Sequence, residues 1–237
     1  MRPQFVHLRC LCGLLAALAL AACGTDTSRF DPLTDALTPL SGVGAETQAM
    51  YAAVPDGDIT VPAVPPEYLS EDKARQLVDY ATSEPTGTII VDPYARRLYH
   101  VQDGGKAMRY SVAVGEAGYG FSGTARVAYV RKWPGWTPTQ NMIRREPEKF
   151  QQYAGGVEGG LENPLGARAL YLYRGGRDTF YRIHGTPSPW TIGHQASSGC
   201  IRMFNQDVIH LAERVENGAR VVVLTEAQSD AGNTVGL

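Results

Sequence analysis

From Gly87 onward the chain is a succession of short apolar runs with a two-residue period, each cut off by a turn signal, and this punctuation restricts it to a sheet. Thr88-Ile89-Ile90-Val91 runs into Asp92-Pro93 and is followed by Arg97-Leu98-Tyr99-His100-Val101, which predicts a hairpin; Asp103-Gly104-Gly105 then turns the chain into a strand over 108–114. Further strands are expected over 125–133, 169–173, 179–184 and 220–224, with Gly175-Gly176 as one of the turns. A single helix is expected over 207–215. Asn205 can cap it, Val208, Ile209, Ala212 and Val215 share a face, and Asn217-Gly218 stops it. The 26 glycines in 237 residues, about 11% against a usual share of about 7%, suit such a turn-rich β architecture and disfavour long helical bundles.

The residues before this region read differently. Positions 10–22 carry no charge and follow Arg2 and Arg9; the run is well short of the roughly 20 residues that cross a bilayer, so residues 1–22 are expected to be a secretory signal peptide. It ends in Leu20-Ala21-Ala22-Cys23-Gly24, which resembles the bacterial lipobox. That resemblance implies a diacylated Cys23 as the new N-terminus, with lipid anchoring in the periplasm. Gly24, in place of Asp, favours the outer membrane. The alternative is an ordinary signal peptide with an incidental cysteine. Residues 23–85, rich in Thr, Asp, Ala and Pro at first and without sustained periodicity, are expected to be a lipidated flexible tether, although 70–82 reads equally as a helix start or a strand. A β-rich domain is expected over 86–225 and a short tail over 226–237. The connection 134–166, with a helical pattern near 141–145 and glycines at 155, 156, 159 and 160, is long enough to be a lid or insertion.

Hydrophobic residues at 43% against 19% charged supply one sizeable core. The net charge of −2, without a Lys/Arg block, argues against a nucleic-acid partner. If the signal is removed and Cys23 becomes a thioether, Cys200 is the one free thiol left of four cysteines. A lone thiol in an oxidising compartment is either a small buried hydrophobe or a nucleophile. His184 ends a predicted strand and Cys200 lies sixteen residues later, just before the helix, so the two can converge at a sheet edge. An imidazole beside a thiol can take its proton, and backbone amides at Ser198, Gly199 and Cys200 can face a tetrahedral oxyanion. Ser197 is expected to support the turn, and His194 to be a solvated loop histidine. His100 and His210 are expected to be structural or surface groups, and Trp133, Trp136 and Trp190 packing residues. The histidines and Cys200 have no zinc-ligand spacing, so no metal and no cofactor are expected.

His184-Gly185-Thr186 followed by Ser197-Ser198-Gly199-Cys200-Ile201-Arg202 resembles the signature of the YkuD-type L,D-transpeptidases, over about residues 86–225. The resemblance implies a mainly β fold, a sandwich in which a curved mixed sheet cradles one helix. It implies Cys200 as nucleophile, His184 as general base and later acid, and the Gly199 and Cys200 amides as the oxyanion hole. Arg202 would orient a substrate carboxylate, with Gly185, Ser197 and Ser198 in the substrate site. Ser198 stands where many members have histidine, which leaves His184 as the motif's only imidazole. The implied reaction is attack on a peptidoglycan tetrapeptide stem with loss of D-alanine, then transfer to an amine. That amine belongs to another stem, giving a 3-3 cross-link, or to an envelope protein. Two alternatives stay open: a hydrolase on the same scaffold, and a non-catalytic lipoprotein that tethers peptidoglycan. Papain-type and NlpC/P60-type hydrolases place Cys before His, the reverse of the order here.

The lipobox reading makes a direct prediction. Cys23→Ala should yield uncleaved precursor, or protein that takes up no fatty-acid label, as read by lipid labelling and intact mass.

Overall fold

A strand broken at Val112 serves both ends of the sheet. In a computed structural model that describes residues 42–115, 121–196 and 200–234, all within the unit Pro39–Leu237, the first elements are α1 (Ala45–Met50), β1 (Val54–Asp56), β2 (Ile59–Val61) and β3 (Gln76–Asp79). Then come β4 (Ile89–Asp92), β5 (Arg97–Gln102), β6 (Lys106–Ser111), β7 (Ala113–Gly115) and β8 (Gly123–Lys132). After α2 (Gln140–Arg145) and α3 (Pro147–Phe150) follow β9 (Arg168–Arg174), β10 (Arg177–His184), β11 (Gln195–Ala196) and β12 (Ile201–Arg202). The chain continues through α4 (Asn205–Ala212), β13 (Arg220–Val223) and α5 (Glu226–Thr234).

The strand order of the main sheet is β11-β7-β12-β10-β9-β8-β13-β4-β5-β6-β3. Only Val112 separates β6 from β7, yet the two lie near opposite ends of this order, so the sheet must curl until its halves face each other as the layers of a sandwich. β13 runs parallel to β4 and β12 parallel to β10, while the hairpin neighbours are antiparallel, which makes the sheet mixed. Ile89, Leu98, Tyr110, Val127, Leu170, Ile183 and Val221 are fully buried between the layers, and α4 packs on β9 and β10, adding Val208 and Leu211 to the same core. Each such side chain contributes roughly 1.5–3 kcal/mol by leaving water. The mainly β architecture with a helix cradled in a curved mixed sheet is as expected.

Three expectations need correction. Residues 42–85 are folded against the sheet rather than a flexible tether. Tyr51 is 1% exposed, its hydroxyl donates to both carboxylate oxygens of Asp207 at 3.0 Å, and the Arg75 guanidinium reaches the same carboxylate at 3.1 Å. Asp56 holds Arg168 by two hydrogen bonds of 2.6 and 2.9 Å, and β3 pairs with β6. The segment shows no periodicity because Tyr51, Val61, Val64 and Leu69 are buried one at a time from separate turns. The helix expected over 207–215 begins at Asn205 and ends at Ala212; Phe204 is its N-cap and makes no side-chain cap. Asn205 has tertiary partners that compete with capping. The expected tail forms α5 over 226–234, anchored by buried Ser229, whose hydroxyl donates to Asp92 at 2.8 Å. Asp92 also accepts from the amides of Tyr94 and Ala95, so the β4–β5 turn is an Asx turn.

The connection 134–166 is folded on itself. Trp136 and Val157 exchange backbone hydrogen bonds of 2.9 and 2.7 Å, and the Trp136 ring lies against Phe150 and Tyr153. Among the described residues no helix is long and apolar enough to cross a membrane.

The buried carboxylate at the N-terminal docking site gives a test. Burial pushes Asp207 from 3.8 up to about 6, with Arg75 and Tyr51 pulling the other way. A folded value above the unfolded one means that this group's contribution is whole below about pH 3.8 and is lost as pH rises through about 6. Arg75→Ala leaves the carboxylate buried beside Tyr51 alone, and should lower stability by about 3–5 kcal/mol near pH 8 and by less near pH 5, where the group takes up a proton. Urea unfolding at the two pH values measures the difference.

Candidate active site

The parallel pairing of β10 with β12 places Ile183 opposite Ile201 and His184 opposite Arg202. Side chains alternate across a strand, so the two isoleucines, both in the core, turn His184 and Arg202 to the other face. Cys200 lies one residue before β12, level with Arg182 on the neighbouring strand. Arg182, His184, Cys200 and Arg202 therefore share one face of a two-strand ladder, with thiol and imidazole on its diagonal. Cys200 is half-buried.

His184 is held from several directions. Its carbonyl accepts from Met203 N–H at 2.8 Å, and Gly185 N–H donates to the Arg168 carbonyl at 3.0 Å. The ring nitrogen Nδ1 lies 2.6 Å from the Gly185 carbonyl oxygen. A carbonyl can only accept, so Nδ1 carries the hydrogen and Nε2 keeps the lone pair of a base. Burial, with Arg202 and Arg182 beside it, pushes His184 down to about 3, so the imidazole is neutral at physiological pH. Burial pushes the Cys200 thiol up, while the Arg182 amide and the guanidinia of Arg182 and Arg202 pull it down. The resting pair is thus thiol and free imidazole, and the proton must move as the sulfur attacks.

The turn after His184 depends on Asn205. Its Oδ1 accepts from Ala167 N–H at 2.9 Å and its Nδ2 donates to the Thr186 carbonyl at 3.0 Å, clamping the loop onto the start of α4. A Cβ at Gly185 would collide with the Asn205 amide oxygen, and one at Gly166, where φ is +60°, would collide with the same oxygen and with the Gly185 backbone. Gly185 is buried at this clamp.

Of the residues singled out from sequence, Cys200, His184 and Arg202 come together. Ser197, Ser198 and Gly199 lie outside the described residues, as does Cys23, and so does half of the expected oxyanion hole. His194 is exposed, whereas His210 Nδ1 lies 2.8 Å from the Tyr110 hydroxyl. Trp190 is 53% exposed, its ring 6.0 Å from that of Tyr68. Among the described residues no group of three or more His, Cys, Asp or Glu could hold a metal ion. Sequence reasoning missed Arg182 and Asn205. The pairing of His184 with Arg202 points to Arg182, two residues upstream on the same face; Asn205 read as a helix cap.

Comparison with known proteins bears on this site. The model of the YkuD L,D-transpeptidase catalytic domain matches residues 86–223. The chain is 28% identical over 185 residues to the probable L,D-transpeptidase ErfK/SrfK of Escherichia coli K12, covering 75% of this chain and 55% of that protein. It is 31% identical over 141 residues to the probable L,D-transpeptidase YbiS of the same organism, covering 58% and 44%. The chain spans about half the length of these curated relatives. A crystal structure of a probable carnitine operon oxidoreductase caia from Brucella melitensis is 46% identical and covers 67% of this chain and 98% of that one. The TM-score of that comparison is 0.46. The domain match, which takes in both His184 and Cys200, shows that the chain belongs to the YkuD family of L,D-transpeptidase catalytic domains.

Proposed function

We propose that the protein is a cysteine-dependent peptidoglycan L,D-transpeptidase. The observation that carries this reading is the β10–β12 ladder, which sets Cys200 beside the strand of an imidazole whose Nδ1 is committed to the Gly185 carbonyl, leaving Nε2 to act as a base. The names of the E. coli relatives support the reaction class.

The sulfur attacks the carbonyl of the third residue, a diamino acid, in a tetrapeptide stem as His184 Nε2 takes the thiol proton. The tetrahedral oxyanion is received by the Gly199 and Cys200 amides. Its collapse breaks the bond to D-alanine, whose amine leaves with the proton from His184, and a thioester remains on Cys200. An amine then attacks, His184 accepts its proton, and the thiol is regenerated. Arg202, on the same face, binds a substrate carboxylate. The acceptor is a diamino acid of another stem or an amine on an envelope protein. The lipobox ending at Cys23 supports a lipid anchor that holds the domain in the periplasm, at the outer membrane.

The test is mass spectrometry of peptidoglycan fragments after incubation with protein lacking residues 1–23. Cross-linked dimer with released D-alanine supports transfer, and exclusive tripeptide would assign the protein as a hydrolase. Cys200→Ala should lose about 10³-fold or more in D-alanine release while retaining its melting temperature. Arg202→Lys, which keeps the charge but not the fork, should lower turnover more than stability.

The acylation step should also show an unusual pH dependence. With His184 near 3 and the thiol above its ordinary value, kcat/KM for acylation should show no inflection near 6.5, where a solvated histidine titrates. Stopped-flow acylation by a carbapenem across the range from about pH 5 to 8 measures this.

A further inference from the structure

β10 is interrupted beside the nucleophile. Asp178 pairs with Tyr173 and Arg182 with Tyr171, so four steps along β10 are matched by two along β9, and two extra residues are looped out between them. Within that loop Phe180 has φ +62° and is 71% exposed, an uncommon conformation for an aromatic residue. The loop is held internally: the Thr179 hydroxyl donates to the Leu172 carbonyl at 2.6 Å, and Phe180 N–H donates to Asp178 Oδ1 at 2.8 Å.

Looping out these residues creates an ion pair that a regular strand would not allow. In an unbroken strand, residues four apart are separated by about 13 Å. Here Asp178 and Arg182 occupy neighbouring positions on one face, and the guanidinium grips the carboxylate with two hydrogen bonds of 2.7 Å each. The same guanidinium lies over the Tyr171 ring at 4.2 Å and donates to the Tyr181 carbonyl at 2.9 Å. Arg182 is thus fixed in place by Asp178 and Tyr171, one strand across from Cys200.

We infer that Arg182 is a positioning residue for the nucleophile, set by the looped-out segment of β10 and locked by Asp178, and that its guanidinium favours the thiolate as Cys200 gives up its proton. Among the described residues, the charged or titratable groups that interact with Cys200 are Arg182 and Tyr181 on β10 and Arg202 on β12, and His184 lies on the same face of β10 as Arg182. The neighbouring strands β7 (Ala113–Gly115) and β11 (Gln195–Ala196) contain no titratable residue. Burial of the thiol opposes ionisation, and the two guanidinia offset it. Asp178 sets how much of the Arg182 charge the sulfur experiences. The inference rests on Cys200 being the nucleophile but needs no particular substrate.

The experiment is the pH dependence of Cys200 carbamidomethylation by iodoacetamide in the full-length protein. It is read on the Cys200 peptide by mass spectrometry, so that Cys10, Cys12 and Cys23 do not contribute. Arg182→Gln should move the midpoint up by about one pH unit, about a tenfold loss of thiolate below it. Arg182→Lys should recover at least half of that shift. Asp178→Asn, which still accepts from the guanidinium but removes the opposing charge, should move the midpoint down. Disruption of the fold would not send these variants in opposite directions. A coincident profile for Arg182→Gln, or an upward or absent shift in Asp178→Asn, would overturn the inference. If Arg182→Gln does not fold, Asp178→Asn and Arg182→Lys decide it: the first must shift down, the second up by less than a unit. Alkylation uses no peptidoglycan, so normal shifts in a protein that releases no D-alanine would leave this inference standing and refute the transpeptidase reading.

Discussion

The pairing of Ile183 with Ile201 underlies the chemistry proposed for this protein. Two core isoleucines, buried between the layers of the sandwich, fix which face of β10 and β12 carries the polar side chains. A slip of one residue between these strands would send Cys200 or His184 into the hydrocarbon core. The hydrophobic effect supplies the energy that holds the register, and no direct bond between thiol and imidazole is required to bring them to one face. The Asn205 clamp then sets the direction in which the chain leaves β10, and with it the Gly185 carbonyl that decides the His184 tautomer.

Electrostatics at the site follows from the same placement. Burial, helped by the two guanidinia alongside, keeps the imidazole neutral, so it can accept a proton, while those same charges favour a sulfur anion. A base that is weak at rest and a thiol that is reluctant to ionise suit a mechanism in which neither charge exists until a substrate is bound. This limits oxidation of an idle thiol, since the thiolate is the reactive form.

The strands from Gly87 onward, the single interior helix and the family motif around His184 and Cys200 were legible in the sequence, because each leaves a local trace: a two-residue period, an apolar stripe, a short motif. What was not legible depends on partners distant in sequence. Residues 42–85 anchor through Tyr51 and Asp56 to Asp207 and Arg168, more than a hundred positions away, and such single-residue anchors produce no periodicity. Asn205 looked like a cap because caps and loop clamps use the same amide; only the approach of Gly166 and Gly185 decides between them. Arg182 gave no local signal because its importance comes from residues looped out of the preceding segment, and a sequence does not display how many steps a partner strand takes.

The strand shared between β6 and β7 has a consequence for how this protein meets others of its kind. A large open sheet offers two long rows of unpaired backbone groups, which can template edge-to-edge aggregation. Here one stretch of chain, interrupted only at Val112, supplies the strand next to each border, and the borders themselves are β3, with four residues, and β11, with two. On β3, Asp79 and its ion-pair partner Lys106 on β6 put charge where an incoming strand would dock. Curling the sheet therefore encloses the core and also leaves little edge from which a second molecule could extend it.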